Sequence, residues 1–189
     1  MKRGPLIVIS GPSGVGKDTL IKRLLELDPN LRYSVSCTTR PPRPDEVDGV
    51  SYTFLSLERF EQLIKEDAFL EYATYDGHLY GTLVERVESA RASGNDIVLK
   101  IEVQGAEQVR EREPDGLFIF VAPPSAEELV RRQELRNSES EQDMASRRKI
   151  AETEMTFASR YDKVVVNDDL ERAVAEVLAI IRDARSRKT

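Results

Sequence analysis

The sequence predicts an α/β domain with a parallel sheet flanked by helices, and three observations carry that prediction. Apolar runs at 6–9, 96–103, 117–121 and 164–166 alternate with charged stretches of helical character. The first and third runs are apolar at every position, as strands covered on both faces require. The first run also feeds directly into Gly11-Pro12-Ser13-Gly14-Val15-Gly16-Lys17-Asp18-Thr19, a glycine-rich turn that opens a helix.

Taken in order, residues 20–27 continue the helix opened by that turn, and Asp28-Pro29-Asn30 ends it. Residues 31–37 alternate toward a strand. The stretch 39–49 is irregular, because Pro41, Pro42 and Pro44 remove backbone donors and fix φ. Strand pieces are expected at 52–55, 69–75 and 78–80, with a helix at 57–65 between the first two. Residues 82–92 read as a helix stopped by Ser93-Gly94-Asn95. The run 96–103 reads as a central strand interrupted by Lys100 and Glu102, and 117–121 as another. Charged helices at 126–135 and 141–158 flank Asn137-Ser138-Glu139-Ser140. A last strand at 164–166 precedes a closing helix at 170–184. Alternating strands and helices imply right-handed crossovers, with ligands at the C-terminal ends of the strands. The segments 35–82 and 127–154 break the alternation and read as excursions over the phosphate site.

Chemistry concentrates first in the loop. Glycines let successive backbone N–H groups converge on one point, and the helix N-terminus adds a fixed positive partial charge. Lys17 reaches toward the β- and γ-phosphates of a nucleoside triphosphate, which makes this a P-loop NTPase-type architecture. The position after the lysine normally holds a hydroxyl that ligates Mg²⁺; here it is Asp18, itself an oxygen ligand for that ion, directly or through a water. Complementing the helix dipole is the alternative role for Asp18. The first excursion gathers Ser36, Arg40, Arg43, Tyr52 and Tyr80, hydroxyls and guanidinium forks suited to a second phosphate.

Bulk properties narrow the class. The 189 residues suffice for one domain with insertions, at 40% hydrophobic and 33% charged content. A net charge of −6 argues against general nucleic-acid binding. One cysteine, Cys37, excludes an internal disulfide, and with the lone His78 it makes a zinc site a poor reading. No apolar run reaches membrane-spanning length and the chain runs straight into a strand, so a cytoplasmic protein without an obligate protein partner is expected.

The string Ser36-Cys37-Thr38-Thr39-Arg40-Pro41-Pro42-Arg43, followed by Glu46, Gly49, Tyr52 and Phe54, resembles the nucleoside-monophosphate domain of guanylate kinases. Phe69-Leu70-Glu71-Tyr72-Ala73, Tyr80-Gly81-Thr82, Gln104-Gly105-Ala106, Ala122-Pro123-Pro124-Ser125 and residues 161–169 match further blocks in the family's order. The resemblance implies a core at 1–34, 83–126 and 155–189, a GMP-binding domain at 35–82 and a lid at 127–154. It also implies the reaction ATP + GMP ⇌ ADP + GDP with Mg²⁺; whether dGMP is accepted as well is not decided by the sequence. By the same resemblance Ser36, Arg40, Arg43, Tyr52 and Tyr80 hold the GMP phosphate, Glu71 meets guanine N1 and N2, Thr82 meets O6, and Glu102 reaches guanine or a metal-bound water. Asn167 falls at the adenine-contacting position. Arg132, Arg136 and Arg148 are the lid arginines, joined to Lys17 in neutralising the transferred phosphoryl group. Arg132 and Arg136 share one helix face, where a solvated face paired with Glu128 is the competing reading.

Three positions depart from the family pattern: Asp18, and Lys100-Ile101-Glu102 where the family carries acidic–x–Asp. Lys100 is expected to offset charge brought by Asp18. A different P-loop kinase acting on an acceptor such as ribose 1,5-bisphosphate, and a non-catalytic guanylate-kinase-like binding module, remain the alternatives.

Overall fold

The computed structural model describes residues 3–134 and 153–187. Its strands form a five-stranded sheet (β1 Leu6–Ser10, β2 Leu31–Tyr33, β7 Asp96–Lys100, β8 Leu117–Ala122, β9 Lys163–Val166) and a four-stranded sheet (β3 Cys37–Thr38, β4 Thr53–Phe54, β5 Phe69–Tyr75, β6 His78–Leu83). The helices are α1 Lys17–Leu27, α2 Leu57–Lys65, α3 Val84–Ala92, α4 Val103–Arg112, α5 Ala126–Glu134 and α6 Leu170–Arg187. None among the described residues is long and apolar enough to cross a membrane. The chain divides into two compact units. One comprises Ile7–Pro29, Lys100–Val103 and the chain from Leu117 onward; the other comprises the residues up to Leu6, Asn30–Leu99 and Gln104–Gly116.

In the first unit β1, β8 and β9 pair in parallel, Ile9 opposite Ile119 and Val121 opposite Val165. Every residue of β1 is buried, as are Phe118–Ala122 of β8, which explains their unbroken apolar sequence. Helix α1 buries Leu20, Ile21 and Leu24, and α6 buries Ala173, Val174, Val177, Leu178 and Ile181, each a single stripe of helical spacing. The two helices pack together, and Arg185 donates to Asp28 at 2.7 Å where α1 ends.

In the second unit β2 and β7 pair in parallel, and the four-stranded sheet runs β4-β3-β6-β5 with mixed direction. Phe60 and Phe69 stack at 4.4 Å over Cys37 and Leu63 to form its core. Asp76 and Gly77, both at positive φ, close the β5–β6 hairpin with the turn that suits strand twist. A bulge between Phe69 and Glu71 then aligns Glu71 with Thr82.

Three expected elements differ. The run 31–37 divides into β2 and β3, which join different sheets. Thr82 and Leu83 extend β6 rather than opening α3, since Glu71 and Phe69 pair with them. The strand expected over 96–103 stops at Lys100, and α4 starts at Val103. Val103, Ala106 and Val109 are buried at intervals of a helical turn, a short stripe that Gly105 and the surrounding charges conceal.

Candidate active site

The phosphate loop lies between β1 and α1. Gly16 sits at φ 99°, a conformation side chains avoid, and a methyl there would fall 2.6 Å from Asn167 Nδ2. That amide, 6% exposed, donates to the Val15 carbonyl at 2.8 Å, so the residue after β9 braces the loop. Arg132 adds to the brace: Nη1 donates to Asn167 O at 2.9 Å and Nε to Glu128 at 2.8 Å. Of the three lid arginines only Arg132 is described; Arg136 and Arg148 lie outside the described residues.

Lys17 is half-buried, and Nζ donates to the carbonyls of Gly11 and Pro12. Desolvation lowers its pKa to about 8, and the ammonium is partly sustained by Glu154, Asp18 and Glu102, against Lys100. Glu154 was not singled out by sequence reasoning. It lies on a helical run at 153–156, buried, with hydrogen bonding from the Ser13 main chain. Burial raises its carboxyl above the usual range, and Lys17 pulls the other way. No signal in the charged stretch around it marks this position. Asp18, with its side chain 68% exposed, forms an ion pair with Lys100. The offset expected between those two departures from the family pattern is therefore a direct contact. Ser13 and Thr19 are exposed, and Gly14 stands at φ 88°.

The second unit brings together most of the residues expected for a phosphorylated acceptor. Arg40 is held by Glu46 through two bonds of 2.7 and 2.9 Å, and Nη1 donates to Pro41 O at 2.7 Å. Its guanidinium lies 5.6 Å from the Tyr52 ring centroid and hydrogen-bonds with Tyr80, and the Tyr52 and Tyr80 rings meet edge-on at 5.9 Å. Arg43 is exposed, and its main-chain N–H donates to Glu46 at 2.7 Å. Ser36 is buried beside β4, its carbonyl accepting from Thr53 N–H at 2.9 Å. Glu46 is the organiser: Arg40 first, then the Arg43 backbone, hold its carboxyl below the usual range. Its place three residues after Arg43, within the proline-rich loop, is the signal for that role.

Glu71 is 4% exposed on β5, and Oε1 accepts from Thr82 Oγ1 at 2.6 Å. Burial pushes its pKa up to about 7 despite the Thr82 bonds. A methyl at Gly105 would lie 2.5 Å from Oε2, so α4 must present a glycine to this carboxylate. The strand bulge turns Glu71 inward, a standard use of a bulge. Glu102 is half-buried in the other unit and belongs to the electrostatic surroundings of Lys17.

The family signature described as Guanylate kinase matches residues 3–184. A guanylate kinase of Caldanaerobacter subterraneus subsp. tengcongensis is 51% identical over 180 residues, covering 95% of this chain and 87% of its own length. One of Rubrobacter xylanophilus is 52% identical over 182 residues, covering 96% and 95%. The crystal structure of guanylate kinase from Anaplasma phagocytophilum superposes with a TM-score of 0.81 at 33% identity, covering 96% of this chain and 86% of that one.

Proposed function

We propose a function that proceeds from family: the chain belongs to the guanylate kinase family, and it transfers the γ-phosphoryl group of ATP to GMP, giving ADP and GDP. The observation that carries the acceptor assignment is the buried Glu71–Thr82 pair. A carboxylate facing guanine accepts from N1–H and the N2 amino group, donors that adenine does not offer at that edge. Adenine would leave a buried acceptor unpaired, at a cost of about 1–3 kcal/mol. With a pKa of about 7, Glu71 is readily recruited into its charged form by those donors.

Ser36, Arg40, Arg43, Tyr52 and Tyr80 hold the acceptor phosphate. The incoming phosphate takes over guanidinium bonds that Glu46 makes to Arg40. Gly11–Thr19 cradles the donor phosphates, Asn167 contacts adenine, and Thr82 meets guanine O6 by turning its one hydroxyl proton from Glu71 to that oxygen. Glu102 acts on guanine or a metal-bound water. The acceptor is a phosphate oxygen, largely ionised at neutral pH because its second pKa is near ~6. No general base is then needed, and catalysis rests on in-line positioning and charge neutralisation. Lys17 supplies one positive charge, and Arg132, Arg136 and Arg148 supply more. The core (1–34, 83–126, 155–189), acceptor domain (35–82) and lid (127–154) divide this work.

Mg²⁺ fits the donor end. Asp18 offers a largely exposed, hard oxygen at the first turn of α1, and Lys100 balances its charge. Among the described residues no cluster of three ligating side chains exists, so Asp18 would hold the ion together with the nucleotide's phosphates. When bound, Mg²⁺ neutralises charge on the β- and γ-oxygens. ATP, GMP and Mg²⁺ incubated with the protein should yield GDP and ADP in equal amounts by chromatography. Turnover of AMP, UMP or ribose 1,5-bisphosphate with GMP untouched would overturn the assignment.

A further inference from the structure

We propose that Glu154 is a resident anion of the phosphate loop, a carboxylate that competes with the incoming polyphosphate for the Ser13 main-chain N–H and for Lys17. The inference rests on the reading of residues 11–19 as a polyphosphate site. It sets how tightly that site binds.

Four observations converge on Glu154. It is 6% exposed, an unusual fate for a carboxylate. It takes hydrogen bonding from the Ser13 main chain, a group of the kind that phosphate loops aim at phosphate oxygens. Its charge also acts on Lys17, helping to sustain the ammonium against desolvation. Finally, Oε2 is buried and has no hydrogen-bond partner. A buried carboxylate that served only to brace would be expected to satisfy both oxygens. One oxygen bound and one orphaned describes an imperfect occupant of an anion site, held by position and charge. The orphaned oxygen forfeits the hydrogen bond it would make in water, which keeps the occupant exchangeable.

A polyphosphate offers more oxygens and more charge than one carboxylate, so it wins the loop. Its apparent affinity is nevertheless reduced by the fraction of molecules in which Glu154 holds the site. If the loop is clear in about a tenth of molecules, removing the competitor tightens binding about tenfold. A residue that instead held Lys17 in place for the nucleotide would act with the opposite sign.

Calorimetric titration of ADP in the presence of a chelator tests this on the full chain. Glu154→Gln keeps the shape and removes the charge, and ADP is expected to bind about tenfold tighter than to the parent protein. Glu154→Asp, which keeps the charge, is expected to stay near the parent value. Inorganic tripolyphosphate should likewise raise the thermal midpoint of Glu154→Gln more than that of the parent. Glu154→Ala provides the same reading should the glutamine variant fold poorly. Unchanged or weaker ADP binding by the variants overturns the inference, even if their midpoints fall, because that is the behaviour of a brace. Failure of the parent protein itself to bind ADP would overturn the polyphosphate reading of the loop, and this inference with it.

Discussion

In the proposed function the phosphate loop and the acceptor unit would each bind an anion, but by different means. The loop would work with backbone: Gly11, Gly14 and Gly16 stand at positive φ, which lets successive N–H groups converge, beside one lysine. The acceptor unit works with side chains: a guanidinium fixed by Glu46 and two tyrosines, and a carboxylate fixed by Thr82. A backbone site requires only that a short stretch fold correctly, so nine consecutive residues encode it. A side-chain site needs partners to hold each rotamer, so it draws on residues 36 to 82 and on Gly105. Both sites keep their charged groups matched within the fold. Lys17 answers Glu154, and Arg40 answers Glu46.

The largest expected effect is at the loop. Lys17→Ala should lower kcat by about 10²–10³, the magnitude of losing one preorganised charge at the transition state. Its thermal unfolding should remain cooperative, because the hydrogen bonds that Nζ makes among the described residues go to the loop carbonyls of Gly11 and Pro12 and not to the core. Near-parental turnover would remove Lys17 from the chemistry and erase the contrast between the two sites.

A smaller effect belongs to the acceptor side and appears in stability. Glu71 has a folded pKa of about 7, above its ordinary 4.5, so the fold favours the neutral acid. The stabilisation of that neutral form is complete below about pH 4.5 and is lost as pH rises through about 7. Glu71→Gln is neutral throughout and should therefore gain on the parent protein over that interval, by up to roughly 3 kcal/mol. Denaturant titrations at pH 4.5 and pH 8 check this. A pH-independent difference between the two proteins would show that Glu71 is already ionised at no cost.

Much of this was legible in the sequence, and the contrast between the sites explains which parts. The loop, its strand and its helix announce themselves because apolar run, glycine spacing and lysine are contiguous. Arg40, Tyr52 and Tyr80 were legible as groups suited to a second phosphate, but their GMP assignment and all of Glu71's role came through resemblance to a family, since nothing local says that residues this far apart converge. Helix α4 escaped because its buried stripe is only Val103, Ala106 and Val109, and Gly105 there serves Glu71 rather than helix propensity. Glu154 escaped for a different reason. Its burial depends on the tertiary placement of a charged stretch that reads as solvated. The pairing of Asp18 with Lys100 was anticipated from charge alone, and the ion pair bears it out.

That pair sets the smallest expected effect. Asp18→Ala should raise the Mg²⁺ concentration for half-maximal rate several-fold, and Asp18→Ser should recover much of the difference, an exposed single ligand being one contributor beside the nucleotide phosphates. Identical Mg²⁺ dependence in all three proteins would confine Asp18 to complementing the helix dipole.

Guanine recognition by a buried carboxylate is measured most directly by the ratio of kcat/KM for GMP over IMP. IMP lacks the N2 amino group, so one donor to Glu71 is lost while the phosphate contacts stay the same. The parent protein should prefer GMP by about 10- to 100-fold, the worth of one hydrogen bond to a charged group. In Glu71→Gln, which keeps an acceptor but loses the charge, the ratio should fall to within a few-fold of unity. An unchanged ratio in the variant would contradict the account, placing base recognition elsewhere in the acceptor unit.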